Sequence, residues 1–219
     1  MTETKHLRLD LKLAFLGPQG SGKGTQAQFL ADNHHYAVLG MGAMLREAGQ
    51  AQTPQGEEIR RITTAGTLVP TKLTIDILVN HLQQVGSDKG FILDGFPRSI
   101  DQAEQLEKIK PLDSIVVFEI SDQEAVRRIV TRVNCPHGHV FNTITYPPKV
   151  KDICDYDGEP LTRREDDHEE AVRRRLGIYH SETEKVIDYY ESLGKIIRVN
   201  GEQEIHHIAH HLELLLRQL

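Results

Sequence analysis

Gly17-Pro18-Gln19-Gly20-Ser21-Gly22-Lys23-Gly24-Thr25 combines what a polyphosphate asks of a polypeptide. Glycines let successive backbone N–H groups turn toward phosphate oxygens, a helix N-terminus adds positive potential, and Lys23 supplies a mobile charge. The common form of this motif places Ser or Thr directly after the lysine, whereas here Gly24 intervenes before Thr25. A second run, Phe91-Ile92-Leu93-Asp94-Gly95-Phe96-Pro97-Arg98, reads as an apolar strand that delivers a carboxylate at its end. Asp94 has the chemistry to hold magnesium through water, because that small ion keeps part of its hydration shell. Arg98, behind the rigid Pro97, is suited to clamping phosphate with two hydrogen bonds. A third group is basic: Arg127, Arg128 and Arg132 are expected on one helix, with Arg164, Arg173, Arg174 and Arg175 further along. Arginines gathered around a movable segment suit the charge that develops during phosphoryl transfer.

These side chains need a frame that brings them to one edge. Leu11 to Leu16 is a short apolar run ending at Gly17, followed by a helical stretch through Ala31, which gives strand, loop, helix. Further short β-rich runs are Tyr36 to Leu39, Phe91 to Leu93, Ile115 to Phe118 and Ile196 to Val199. Helical stretches such as Thr71 to Val85 and Ser99 to Ile109 separate them, predicting an α/β three-layer core with a parallel sheet. In such a sheet ligands bind beyond the carboxyl ends of the strands, so Lys23 and Asp94 should share an edge. Ile205, Ile208, Leu212, Leu215, Leu216 and Leu219 recur at helical spacing and predict a closing amphipathic helix. The histidine pairs at 206–207 and 210–211 then fall on its solvated face. From about Thr131 to His168 the pattern breaks into prolines, glycines and alternating residues, predicting a small β-rich insert.

That insert carries both cysteines of the chain, Cys135 and Cys154. Two cysteines are too few for a disulfide framework, which points to a reducing cytoplasmic compartment and leaves the thiols free. Cys135-Pro136-His137-Gly138 and Cys154-Asp155-Tyr156-Asp157-Gly158 form two short ligand pairs at turns. Tetrahedral zinc accepts thiolate, imidazole and carboxylate, so Cys135, His137, Cys154 and Asp157 are the candidate structural zinc ligands, with His139 an alternative to His137. A formal charge of −6 argues against a general nucleic-acid grip. No apolar run is long enough for a membrane helix, so a soluble, intracellular protein is expected.

Taken together, the phosphate loop with Gly-Lys-Gly-Thr, the Asp-Gly-Phe-Pro-Arg strand motif followed by Gln102, and Arg164-Glu165-Asp166-Asp167 followed by Arg175 resemble the adenylate kinase family in its long-lid form. The resemblance runs from about Lys12 to Gly201. It implies a P-loop core at 1–39, 70–130 and 169–219, a small helical monophosphate-binding insert at 40–69 and a lid at 131–168. It implies reversible transfer from MgATP to AMP giving two ADP, by a monomer. ATP would meet Gly20, Ser21, Gly22, Lys23, Gly24, Thr25, Arg128, Arg132 and Gln203. AMP would meet Met41, Arg46, Val69, Gly95, Arg98, Gln102, Arg164 and Arg175. Lys23, Arg98, Arg132, Arg164 and Arg175 would carry the catalysis, with Asp166 a lid-closing carboxylate. The lid would resemble the zinc-bearing lids of some members, which show Cys-x-x-Cys and then Cys-x-x-Cys or Cys-x-x-Asp. Two departures matter, at Met41 and Ala43, where the family's Ser-Thr-Gly-Asp-Met-Leu-Arg reads Gly40-Met41-Gly42-Ala43-Met44-Leu45-Arg46. The lost hydroxyl at Met41 and lost carboxylate at Ala43 keep two other readings open, a UMP or CMP kinase and a nucleotide-binding regulatory protein without turnover.

Overall fold

The computed structural model describes residues 6–86, 89–164 and 167–219. Strand β1 (Lys12–Leu16) leads into helix α1 (Lys23–His34), and β2 (Ala37–Gly40) into α2 (Met41–Ala48), α3 (Pro54–Thr64) and α4 (Thr71–Leu82). Next, β3 (Phe91–Asp94) leads to α5 (Ile100–Ile109), and β4 (Ser114–Glu119) to α6 (Asp122–Val130). The short β5 (Arg132–Asn134) and β6 (Val140–Asn142) interrupt this alternation. Then come α7 (Glu169–Ile178), a π-helical turn over Tyr179–Thr183, α8 (Glu184–Ser192), β7 (Ile196–Asn200) and α9 (Ile205–Leu216). The central sheet has the order β2-β3-β1-β4-β7, and every pairing in it is parallel.

Period-two alternation sorts the strand residues into two cores. Leu13 and Phe15 of β1, with Ile92, Val116 and Phe118, pack beneath Ala27 and Leu30 of α1 and Ile208, Leu212 and Leu216 of α9. Ala14, Leu16, Leu39, Phe91, Leu93, Ile115 and Val117 face the other way, toward Met44, Ile75, Ala103 and Tyr190 of the opposite helical layer. Both faces are therefore covered, the three-layer arrangement the short apolar runs predicted. In α9, His206, His207, His210 and His211 are exposed as expected, while Leu219, counted with the apolar stripe, lies beyond the helix and is exposed. Among the described residues no helix is long and apolar enough to cross a membrane.

Helix starts follow their caps. Thr53 accepts from Gly56 N at 3.1 Å ahead of Pro54, and Ser99 and Ser121 accept from Gln102 N and Glu124 N. Helix α1 differs: Gly22 stands at its N-cap without a side-chain acceptor, so its first N–H groups remain available to an anion.

One helical expectation fails. Arg132 does not share a helix with Arg127 and Arg128, because α6 stops at Val130 and the Thr131 hydroxyl donates back to Arg127 O at 2.8 Å. The chain then enters β5, where Arg132 pairs with Asn142 across an antiparallel ladder. The rest of the 131–168 stretch holds isolated bridges, Asn134 with Thr162, Asn142 with Tyr146 and Ile153 with Pro160. Among the described residues its apolar core is Val133, Cys135, Phe141, Cys154 and Leu161, while Ile144, Val150 and Tyr156 stay exposed.

Candidate active site

The glycine-rich turn leaves β1 beside β4, and it is tightest at its first glycine. A Cβ at Gly17 would stand 2.4 Å from Phe118 O, and Gly17 has φ 142°, a value that disfavours other residues. Gly24 has its own reason: a Cβ there would lie 3.2 Å from Asp94 Oδ2, so the departure from the common motif keeps the Asp94 carboxylate clear. Thr25 follows in the first turn of α1. Lys23 folds back into the loop, its Nζ donating to Gly17 O and Pro18 O at 2.8 Å each and lying 3.3 Å from Ser21 Oγ. Desolvation in this nest pushes the Lys23 ammonium down to about 8; Asp94 opposes the shift, and Arg98 and Arg132 add to it. A bound polyphosphate favours the charged form, so Lys23 should take up a proton on binding ATP, and affinity should fall as pH rises through about 8. Calorimetry at pH 8.5 in buffers of different ionisation enthalpy should show this proton uptake, and Lys23→Met should remove it.

Strand β3 ends at the neighbouring edge with Asp94, then Gly95 and Arg98. Arg98 Nε donates to Gly95 O at 2.7 Å, and Arg98 N donates to Gln102 Oε1 at 2.8 Å. Desolvation lowers the Arg98 pKa, Asp94 raises it, and Arg175 and Arg46 lower it further, so the three guanidiniums share one field. Arg175 comes from α7 and donates from Nη1 to Gln19 Oε1 of the loop at 3.1 Å. Met41 and Val69 are buried in the core cluster that includes Leu45, and Gln102 is buried as well.

On the opposite side of the loop, Arg128 Nη1 donates to Gly201 O at 2.8 Å and approaches Gly20 O at 3.4 Å. It ties the loop to the turn after β7, on which Gln203 is exposed. Arg132 makes a two-pronged pair with Asp167, Nε to Oδ2 at 2.9 Å and Nη2 to Oδ1 at 2.6 Å, and the Asp167 side chain is only 1% exposed. Asp166, the lid-closing carboxylate that the family resemblance implies, lies outside the described residues. Its neighbour Asp167 carries no separate signal in the sequence, since adjacent carboxylates look alike until the fold orients them. Arg164 is half-buried, three residues before Asp167.

The β5–β6 turn and the 154–158 turn meet. Ligand atoms of Cys135, His139, Cys154 and Asp157 all lie within 4.8 Å of one another. His139 Nδ1 is 3.2 Å from Cys135 Sγ, 3.4 Å from Cys154 Sγ and 3.0 Å from Asp157 Oδ2. This group contains His139 and not His137, the first histidine expected from the sequence. The hairpin explains the difference: Cys135 N donates to His139 O at 3.0 Å and Gly138 N to Cys135 O at 3.1 Å, folding residue 139 back over residue 135. His137 is left at the tip with its side chain 63% exposed, touching only the rim through Asp157 Oδ2 at 3.0 Å.

A doubly wound parallel sheet, a glycine-rich loop opening an uncapped helix and a ring of arginines at the carboxyl edge define a P-loop kinase. Residues 15–195 match the adenylate kinase family model. The chain is 38% identical over 214 residues to an adenylate kinase of Thermosipho africanus, covering 95% of this chain and 100% of that protein. It is 38% identical to one of Archaeoglobus fulgidus (95% and 99% covered) and 36% identical to one of Methanosarcina barkeri (95% and 99%). The chain belongs to the adenylate kinase family, and its activity is that of a nucleoside monophosphate kinase, phosphoryl transfer between ATP and AMP. The UMP or CMP kinase and the regulatory protein without turnover are not favoured by these relatives.

Proposed function

We propose that this chain performs the transfer by positioning and charge neutralisation, with Lys23, Arg98, Arg132, Arg164 and Arg175 around the migrating phosphoryl group. The observation that carries this reading is the convergence of cations at the strand ends: Lys23 folded into the loop, Arg98 held on Gly95 O after β3, and Arg175 hydrogen-bonded to Gln19 of the loop. No side-chain nucleophile is required. An ionised oxygen of the AMP phosphate attacks the γ-phosphorus of ATP, the bond to the β–γ bridging oxygen breaks in line, and both products are ADP. Magnesium arrives with ATP, and Asp94 would hold its water shell at the end of β3. The loop from Gly20 to Thr25, with Arg128, Arg132 and Gln203, would take ATP. The 40–69 insert would take AMP, with Arg46 on its phosphate and Met41, Val69, Gly95, Arg98 and Gln102 around the remainder. Since Gln102 Oε1 already accepts from Arg98 N, its amide nitrogen is the group left to donate to the base. Closure of the 131–168 lid over the core would exclude the water that otherwise hydrolyses ATP. The protein would work as a cytoplasmic monomer on free nucleotides, without nucleic acid or membrane.

Arg46→Ala tests the acceptor side. Losing one charge-assisted phosphate contact should raise KM for AMP roughly 10- to 100-fold and leave KM for ATP within about twofold. An equal rise in both would remove Arg46 from the AMP site.

The lid cluster supports a structural zinc. Two thiolates, one imidazole and one carboxylate suit tetrahedral coordination, so Cys135, His139, Cys154 and Asp157 would hold the ion, with His137 outside the set. Five buried residues make a thin core, and structural zinc contributes on the order of 10 kcal/mol at neutral pH. Protein purified without added metal or chelator should carry about one equivalent of zinc. Cys154→Ser should lose the metal and melt at lower temperature. Metal-free protein with Cys154→Ser as stable as the parent would exclude the zinc.

A further inference from the structure

We propose that Gln19 is a positioning residue for phosphoryl transfer, its side-chain carbonyl holding the Arg175 guanidinium against the phosphate loop without neutralising it. The inference rests on the reading of Arg175 as a phosphate clamp. Gln19 is a half-buried loop residue whose Oε1 accepts from Arg175 Nη1 at 3.1 Å. The arginine belongs to α7 and the glutamine to the β1–α1 loop, so this hydrogen bond joins two elements that must keep their register during turnover. The Arg175 side chain also runs past Gly66, where an added Cβ would lie 3.6 Å from Nε. Gln19 thus holds the tip of a side chain whose stem passes the end of the 40–69 insert.

The choice of an amide follows from the charges. Arg175 and Arg46 both bear on Arg98, and three guanidiniums that repel one another need restraint to point at one place. A carboxylate at position 19 would supply that restraint but cancel charge intended for the phosphates. An amide oxygen orients the donor through a directional hydrogen bond and leaves the positive charge to the transition state.

The experiment is a double-mutant cycle on Gln19→Ala and Arg175→Ala, with Gln19→Glu as a third variant, read as kcat and both KM values. Gln19→Ala should lower kcat roughly tenfold, the weight of one hydrogen bond to a charged group, with the melting temperature and KM for ATP unchanged. In the Arg175→Ala background the same substitution should have no further effect. Gln19→Glu should be slower than Gln19→Ala, since it keeps the acceptor but neutralises the guanidinium. Parental turnover in Gln19→Ala or Gln19→Glu, or additive losses in the double variant, would overturn the proposal while leaving Arg175 in place. Parental turnover in Arg175→Ala would instead overturn the clamp reading itself.

Discussion

Lys23→Met should cut ADP formation from ATP and AMP by on the order of 10³-fold, the scale of losing one preorganised charge donor at a transition state. The fold should survive, since relief of the desolvated charge offsets the two hydrogen bonds lost to the loop carbonyls. Lys23 stacks its ammonium on the Gly17 and Pro18 carbonyls in a desolvated nest that already pushes its pKa down to about 8. Desolvation disfavours the charged form, so the side chain is held there at a cost and methionine relieves it. A melting temperature at or above the parent, together with collapsed turnover, is the expected pair of results. Parental turnover in a folded Lys23→Met protein would mean that the phosphates bind elsewhere.

Arg132→Ala should lower turnover by on the order of 10³-fold, as for other arginines that meet charge developing in phosphoryl transfer. Unlike Lys23→Met it should also destabilise, because it leaves the almost fully buried Asp167 carboxylate without its two-pronged partner. Breaking a buried pair from one side costs about 3–5 kcal/mol. The two losses separate in Arg132→Ala/Asp167→Asn, which removes the stranded charge: thermal stability should return and turnover should not. Recovery of turnover along with stability would reduce Arg132 to a structural residue. Arg132→Lys should fall between, since an ammonium keeps the charge and loses the fork.

Much of the frame could be read from local pattern. Strands β1 to β4 and β7 announce themselves as short apolar runs because both faces of a parallel sheet are buried, and the loop before α1 is legible because phosphate binding needs consecutive glycines. What escaped the sequence depends on turns and on partners far along the chain. Arg132 reads as helical from its spacing to Arg128, yet the Thr131 hydroxyl ends the helix and the ladder to Asn142 makes it a strand residue. His137 is the nearer histidine to Cys135, but the hairpin carries His139 back to the thiols. Neither the pairing of Gln19 with Arg175 nor that of Arg132 with Asp167 leaves a local signature, because each joins elements separated by the whole lid or more.

Transfer from ATP labelled in its γ-phosphate, in magnesium and with AMP, GMP, CMP or UMP supplied singly, reads the phosphoryl acceptor. Label should appear rapidly in ADP with AMP as acceptor, with little transfer to the other three, and ADP supplied alone should form ATP and AMP. Label passing to water, or to a pyrimidine monophosphate faster than to AMP, would contradict ATP:AMP phosphotransfer by this site.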